Sequence, residues 1–338
     1  MTTAPVHQPH VLTSGSGVTA TVGSYGARLI RIDAPDRAGR VDRVLLGYDD
    51  PEANRRAALP DGGAYLGATC GRVANRIADA AFELDGVRHR LAANEGAHQR
   101  HGGPVGFDRA NWSVREASAS HVTMHHHSPD GDQGFPGALD VTASFDLSDD
   151  GELSIVYTAR TTRPTHVNLV SHGYFNLSGG SGTIADHRLR IDAASFLAID
   201  ADQLPTERRS VRGTPLDFTE AQWIGRLIES DDEQARLSRG GNHTFCLDGV
   251  GMRPVAWLEH PGSGRTLTLS TDQPGLQLYA AGWLDAPWHP HAALCLEAQA
   301  WPNACNRADF PSTRLDPGAL YRSEVRLRFG VAPAGMLG

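Results

Sequence analysis

Three observations predict an all-β chain, a large antiparallel β-sandwich with one or two short helices. Short runs of alternating polar and apolar residues recur along almost the whole sequence. Gly, Pro, Asp and Asn turns separate them, as in sheet-on-sheet architectures. Only one segment carries the periodicity of a helix.

The series starts with "VTATVGSYGARLIRIDA" (18–34). In "AFELDGVRHRLAA" (81–93) an Asp-Gly pair separates two runs, a hairpin signal, because both residues tolerate the positive φ of a tight turn. "HVTMHHH" (121–127) reads as a strand with solvated imidazoles, since adjacent histidines on a strand point to opposite faces. "ALDVTASFDLSDDGELSIVYTAR" (138–160) is a strand–turn–strand, and "RTLTLSTD" (265–272) and "RSEVRLRFG" (322–330) close the series. The helical segment is "TEAQWIGRLIESDDEQARLSRG" (219–240), with Trp223, Ile224, Leu227 and Ile228 at helical spacing. Its acidic run, Glu229 to Glu233, is expected to be a solvated face or loop. No internal repeat, linker or composition break divides the 338 residues. One domain over 1–338 is therefore expected, with 1–8 and 331–338 as loose termini.

Composition excludes several functions. With 40% hydrophobic residues the chain can fill a large core. A net charge of −8 leaves no basic surplus to neutralise phosphates, which argues against nucleic-acid and anionic-membrane partners. All 31 Lys+Arg residues are arginines. Without lysine there is no Schiff base with a sugar aldehyde or pyridoxal phosphate, and no P-loop lysine. Cys70, Cys246, Cys295 and Cys305 show no C-x-x-C spacing and read as reduced thiols. The N-terminus lacks the pattern of a secretory signal, and no apolar run approaches the ~18 residues of a membrane span. A cytoplasmic location is the simplest expectation.

The chemistry-bearing residues fall on polar strand faces. Taken as a strand, 166–177 puts Val167, Leu169, Ser171, Gly173, Phe175 and Leu177 on one side. His166, Asn168, Val170, His172, Tyr174 and Asn176 lie on the other. In "AALCLEAQAW" (292–301) Leu294, Leu296 and Ala298 oppose Cys295, Glu297 and Gln299. In "LQLY" (276–279) the leucines oppose Gln277 and Tyr279. Such faces meet water or line a cleft. Hydroxyls, amides, a carboxylate and aromatic rings together suit a sugar, which offers many hydroxyls and an apolar C–H face. His101, ahead of a Gly-Gly pair, and the "MHHH" and "WHPH" runs supply no coherent set of metal ligands, so no metal is predicted. Glycoside hydrolysis needs two facing carboxylates, and only Glu297 stands out.

Taken together, these segments resemble the aldose 1-epimerases (galactose mutarotases). The matching pieces are "GRVANRI" (71–77), "LAANEGAHQRHGGPVGFDRANW" (91–112), "DGDQGFPG" (130–137) and "RPTHVNLVSHGYFNLSG" (163–179). They continue with "GTPLDF" (213–218), "GGNHTF" (240–245), "LQLY" (276–279), "LCLEAQAWPNACN" (294–306) and "PGALY" (317–321), in family order. The resemblance implies a single mutarotase-like supersandwich that interconverts the α and β anomers of a free aldose, without a cofactor, as a monomer or weak homodimer. By the same resemblance His172 is similar to the general acid on the ring oxygen, and Glu297 to the base on the C1 hydroxyl. His101 resembles the second active-site histidine and Arg76 the arginine on sugar hydroxyls, with Asn75 beside it. Gln277 and Tyr279 are further substrate-binding candidates.

Reference pKa values of about 4.3 and 6.5 lead to the expectation of an ionised Glu297 and a His172 titrating near neutrality. A nearby carboxylate would favour a charged imidazole. The sequence departs from the family pattern at Asn242, where an aspartate is usual, at Asn303 and Cys305 in "WPNACN", and in "SHGYF" around His172. The phosphohexose 1-epimerases, which should carry an arginine cluster in the cleft, and a non-catalytic sugar-binding or sensing protein of the same fold remain alternatives.

Overall fold

The computed structural model describes residues 9–50, 53, 64–180 and 182–332. The expected loose N-terminus, 1–8, lies outside them, as do 333–338. Val331 is not loose: it ends the strand Tyr321–Val331, and Ala332 N–H donates to Gly264 O.

The described residues build a nine-stranded and a six-stranded antiparallel sheet, a four-stranded sheet at the N-terminal end and several two-stranded pairs. Alternation places the strands as expected. Leu139–Leu147 and Glu152–Thr161 form a long hairpin inside the nine-stranded sheet, with every second residue buried. The Asp85-Gly86 turn joins Ala81–Leu84 to Val87–Arg90, with φ of 52° and 75°, both in the left-handed region. In His121–Ser128 the imidazoles of His125 and His127 share one face and both contact Asp140. His126 is not solvated as expected, because it points the other way and packs against Phe107 and Trp112.

The inner faces of the two large sheets share one core. Phe145, Ile155, Tyr157 and Leu327 from the nine-stranded sheet are buried together with Phe175, Leu276, Leu278, Leu294 and Leu296 from the six-stranded sheet. The opposite, polar face of the six-stranded sheet is left for the cleft.

Two segments differ from expectation. The helix expected over 219–240 is two short helices, Gly225–Ile228 and Glu233–Leu237. Trp223 belongs instead to the short strand Gln222–Trp223, which extends the nine-stranded sheet beside Arg188–Ile191. Between the helices lies the acidic stretch, where Asp232 accepts from Gln234 N–H (2.8 Å) as an N-cap.

The single strand expected over 166–177 is three short pairings with three different partners. Thr165–His166 pairs with Arg314–Leu315, Val170–Ser171 with Thr69–Cys70, and Tyr174–Phe175 with Leu294–Gln299. The face assignment survives the breaks: Val167, Leu169, Phe175 and Leu177 enter the core. At Gly173 a Cβ would stand 2.9 Å from the Phe175 ring and 3.2 Å from Leu45, so this departure from the family pattern relieves a local contact.

Candidate active site

The cleft floor is two rows of side chains across the six-stranded sheet. Register sets Tyr174 opposite Cys295, Cys295 opposite Tyr279, and Tyr279 opposite Asn242. The next row runs Glu297, Gln277, Thr244. Because strand side chains alternate, both rows project away from the core that takes Leu276, Leu278, Leu294 and Leu296. The cleft they open into measures ≈ 1260 Å³.

All eight residues expected from the sequence line that cleft: His172, Glu297, His101, Arg76, Asn75, Asn242, Gln277 and Tyr279. Glu297 and His172 are 2% and 5% exposed, and Glu297 Oε1 stands 3.7 Å from His172 Nε2. Glu297 Oε2 is buried with no hydrogen-bond partner, an unsatisfied acceptor aimed at the chemistry. The His172 imidazole is stacked between the Tyr65 and Tyr174 rings, with centroids 5.9 Å and 5.1 Å away. Its backbone is tied at both ends: N–H donates to Ala68 O and C=O accepts from Gly67 N–H.

Below the ring, Cys295 Sγ lies 3.5 Å from His172 Nδ1. His172, Cys295 and Glu297 therefore bring three donor atoms within 4.8 Å of one another. Cys295 is nearest Nδ1 and Glu297 nearest Nε2, two residues apart on the same strand face.

His101 meets His172 edge to face, with centroids 5.2 Å apart. It sits at φ 52°, and Asn75 N–H donates to its Nδ1 (3.2 Å). With Nδ1 accepting, the proton of the neutral ring belongs on Nε2, which makes His101 a donor to a cleft oxygen. Arg76 Nε and Nη2 both donate to Glu95 (2.5 and 3.0 Å), and Arg100 Nη1 donates to the same carboxylate (2.7 Å).

Gln277 is the hub of an amide chain. Its Oε1 accepts from Thr244 Oγ1 (2.5 Å), Asn75 Nδ2 (3.3 Å) and Gln299 Nε2 (3.3 Å). Gln277 Nε2 donates to Asn242 Oδ1 (2.7 Å), and Asn242 Nδ2 donates to Gln203 Oε1 (3.2 Å). Asn242 thus uses a donor that an aspartate would lack. Asn303, a second departure, is spent on scaffolding: its Oδ1 accepts from Ala78 N–H, and its own N–H donates to Arg76 O.

Burial overturns the expected charge states. It pushes the His172 imidazole down to about 3, assisted by the Arg100 cation. Burial also raises the Glu297 carboxyl to about 8, against the pull of Arg100 and Arg76. The mutual attraction expected between carboxylate and imidazolium is outweighed by the cost of stripping water from both. His101 is held well below its usual range by burial and by His172, Arg100 and Arg76. Between about pH 3 and about pH 8 the His172–Glu297 pair holds one mobile proton.

Sequence reasoning missed Tyr65, Glu95 and Arg100 as cleft residues. Glu95 and Arg100 lie inside the "LAANEGAHQRH" segment beside His101, the signal that could have found them. Tyr174 sits on the polar face already read for His172.

A family model described as Aldose 1-epimerase matches residues 9–328. The chain is 40% identical to a galactose mutarotase of Bos taurus over 320 residues, 91% of this chain and 90% of that one. It is 34% identical to an aldose 1-epimerase of Escherichia coli (strain K12) over 341 residues, 96% of this chain and 97% of that one. Among solved structures, a GalM/aldose epimerase homologue from C. elegans superposes with a TM-score of 0.90 at 27% identity, covering 97% and 100% of the two chains. A galactose 1-epimerase from Lactobacillus acidophilus gives 0.83 at 27% identity, covering 96% and 94%.

Proposed function

The chain belongs to the aldose 1-epimerase family, and from that premise we propose that Glu297 and His172 open and close the ring of a free aldose. The activity is mutarotation, an isomerase reaction that interconverts the two anomers. In the opening step the pair's single proton first moves from Glu297 to His172; the C1 hydroxyl proton then passes to the carboxylate of Glu297 while the His172 imidazolium delivers its proton to the ring oxygen, and the C1–O5 bond breaks. Rotation about C1–C2 turns the aldehyde over. Closure on the other face returns both protons, so each group is regenerated.

The observation that carries the reading is the buried Glu297 carboxyl, 3.7 Å from His172 and with Oε2 unpartnered. A C1 hydroxyl donating to Oε2 would satisfy that atom and start the proton transfer. One proton shared by the pair is what a reaction exchanging one acid role and one base role requires. Tyr65 and Tyr174 fix the imidazole plane, His101 donates to a sugar oxygen from Nε2, and Asn242 and Gln277 engage hydroxyls. A protein that merely held sugar would have no use for a desolvated acid–base pair.

Polarimetry on freshly dissolved α-D-glucose, α-D-galactose and L-arabinose tests the reading. Accelerated approach to the equilibrium rotation is expected, and a rate equal to buffer for all three would overturn it. One observation favours a second reading: Arg76 and Arg100 share the single carboxylate of Glu95, which leaves positive charge in the cleft wall. Glucose 6-phosphate in the same assay, outpacing glucose, would favour a phosphorylated hexose.

The finer expectations stay proposals of the same kind. The sharing of one core by both large sheets supports a single domain. All four cysteines are free thiols, which supports a cytoplasmic, reducing setting. Among the described residues no helix is long and apolar enough to cross a membrane. Light scattering would distinguish a monomer from a weak homodimer.

A further inference from the structure

The strand pair Arg76–Ile77 with Gln99–Arg100 sets two arginines directly opposite each other at the cleft wall. Like charges in that relation destabilise a strand pair. Glu95 offsets only part of the repulsion. Arg76 takes its carboxylate with both Nε and Nη2, whereas Arg100 reaches it through Nη1 alone (2.7 Å). One negative charge thus stands against two positive ones, and Arg100 is the less fully paired of the two.

The surplus charge lies close to the reacting groups. The Arg100 guanidinium sits 5.1 Å from the Tyr65 ring centroid, and the same ring stacks on the His172 imidazole at 5.9 Å, 22° from parallel. A single buried ring therefore links cation and imidazole. Tyr65 is 7% exposed, so little water screens the field between them. The other groups that face the pair do not cancel this charge near neutrality. Burial keeps the Cys70 and Cys295 thiols and the Tyr65, Tyr174 and Tyr279 phenols protonated. His101 is neutral. Arg28, the remaining cation acting on His172, has its own counter-charge in Asp108, whose carboxyl burial raises only to about 6.

A fixed cation repels a proton wherever in the pair it rests, on Glu297 or on His172. Arg100 accordingly opposes the effect of burial at Glu297 and adds to it at His172. We propose that Arg100 is a positioning residue for the shared proton: its guanidinium, held by Glu95 against Tyr65, loosens the pair's grip on that proton and sets the alkaline end of the range in which the enzyme works. The inference rests on the mutarotase reading above and gives a part in it to a side chain that acts through the field rather than by touching the sugar. Burial alone would hold the proton on Glu297 more tightly. The cation makes the carboxylate that receives the C1 hydroxyl proton easier to form, and Glu95 sets how much of the cation is felt.

The test is the pH dependence of kcat/KM for glucose mutarotation by the full chain, with the buffer rate subtracted, together with a 13C NMR titration of the Glu297 carboxyl in glutamate-labelled protein. Arg100→Met keeps an apolar stem over Tyr65 and loses the charge. It is expected to move the alkaline limb, and the carboxyl titration with it, up by about half a pH unit. Glu95→Gln leaves both cations without their carboxylate and is expected to move both readouts down by a similar amount. Arg100→Lys keeps the charge and should leave them where wild type has them. The position of the limb is independent of the height of the plateau, so a variant slowed by looser packing still reports it. An Arg100→Met limb that stays put or moves down overturns the proposal. A lysine variant that shifts as far as the methionine one also overturns it, because contact rather than charge would then be responsible. A wild type that accelerates no sugar overturns the mutarotase reading itself, and the carboxyl titration then still decides the part of Arg100.

Discussion

Glu297 Oε1 and His172 Nε2 face each other across 3.7 Å of buried cleft, on side chains that are 125 positions apart in the chain and meet through the pairing of Tyr174 with Cys295. Each transfers one proton in the proposed reaction, so neither tolerates a side chain that cannot. Glu297→Gln and His172→Ala are each expected to lower kcat by about 10²–10⁴-fold, with the β-sheet circular dichroism unchanged. Near-normal rotation rates in either variant would remove that residue from the chemistry.

The one-proton state of the pair sets the pH profile. Ordinary values would confine a carboxylate–imidazolium pair to a narrow window, from about 4.3 to about 6.5. Burial inverts the order: from about 3 to about 8 the pair still holds one proton, but on Glu297 beside a neutral His172, with the carboxylate–imidazolium form as its minor tautomer. The expected kcat/KM is flat through neutrality and falls above about pH 8, as the pair loses its shared proton. A decline beginning near pH 6 would contradict the assignment.

Stability should carry the same signature. The folded Glu297 carboxyl holds its proton to about 8 against a reference of 4.5. Across that interval the native state binds more protons than the unfolded chain, so stability falls as pH rises from 4.5 and levels off above about 8. Glu297→Gln has no such group. Its melting temperature relative to wild type should therefore climb between pH 6.5 and 8, an interval in which the unfolded His172 titrates alike in both proteins. A constant difference across that range would show that Glu297 is not desolvated in solution.

Cys295 holds the Nδ1 edge of the imidazole. With both groups neutral, Nδ1–H donating to the thiol sulfur leaves the Nε2 lone pair facing Glu297, ready to take up the pair's proton. Cys295→Ala leaves a buried nitrogen unpartnered, at a cost of about 1–3 kcal/mol. The expected result is a kcat lowered about tenfold with KM unchanged, and Cys295→Ser, which keeps an acceptor for Nδ1–H, recovering most of the rate. A normal kcat in the alanine variant would reduce the contact to packing.

Asn242 is wired at both ends, accepting from Gln277 and donating to Gln203. Asn242→Asp keeps the acceptor and loses the donor, setting a carboxylate against the Gln203 carbonyl oxygen. It also offers charge-assisted bonds to sugar hydroxyls. KM is expected to shift by different factors for glucose, galactose and arabinose while kcat changes little. The same factor for every sugar would show that the position does not read the substrate.

Much of this was legible in the sequence because alternation is a local property. A period of two fixes which side chains share a face, whichever strand lies next door. His172 and Tyr174 could therefore be assigned to a polar surface, as could Glu297, Gln277 and Tyr279, and the ordered motifs supplied the reason to bring those surfaces together. The same locality misled where tertiary pairing decided. The segment 166–177 keeps its two faces yet breaks into three pairings, because each pair of residues meets a different neighbour. The helical spacing of 219–240 yielded to the pairing of Trp223 with Arg188.

By itself, then, the sequence determined the sheet-rich architecture and the polar faces, and it nominated His172 and Glu297 as the acid–base pair proposed here. The tertiary structure decided their charge. Proton affinity depends on how much water is excluded around a group, and that exclusion comes from residues distant in the chain. Tyr65, Tyr174 and Cys295 close around His172, and the arginines held by Glu95 do not offset the loss of water at Glu297. An ionised glutamate beside a titrating histidine was the local expectation, and a neutral buried pair sharing one proton is what the fold imposes.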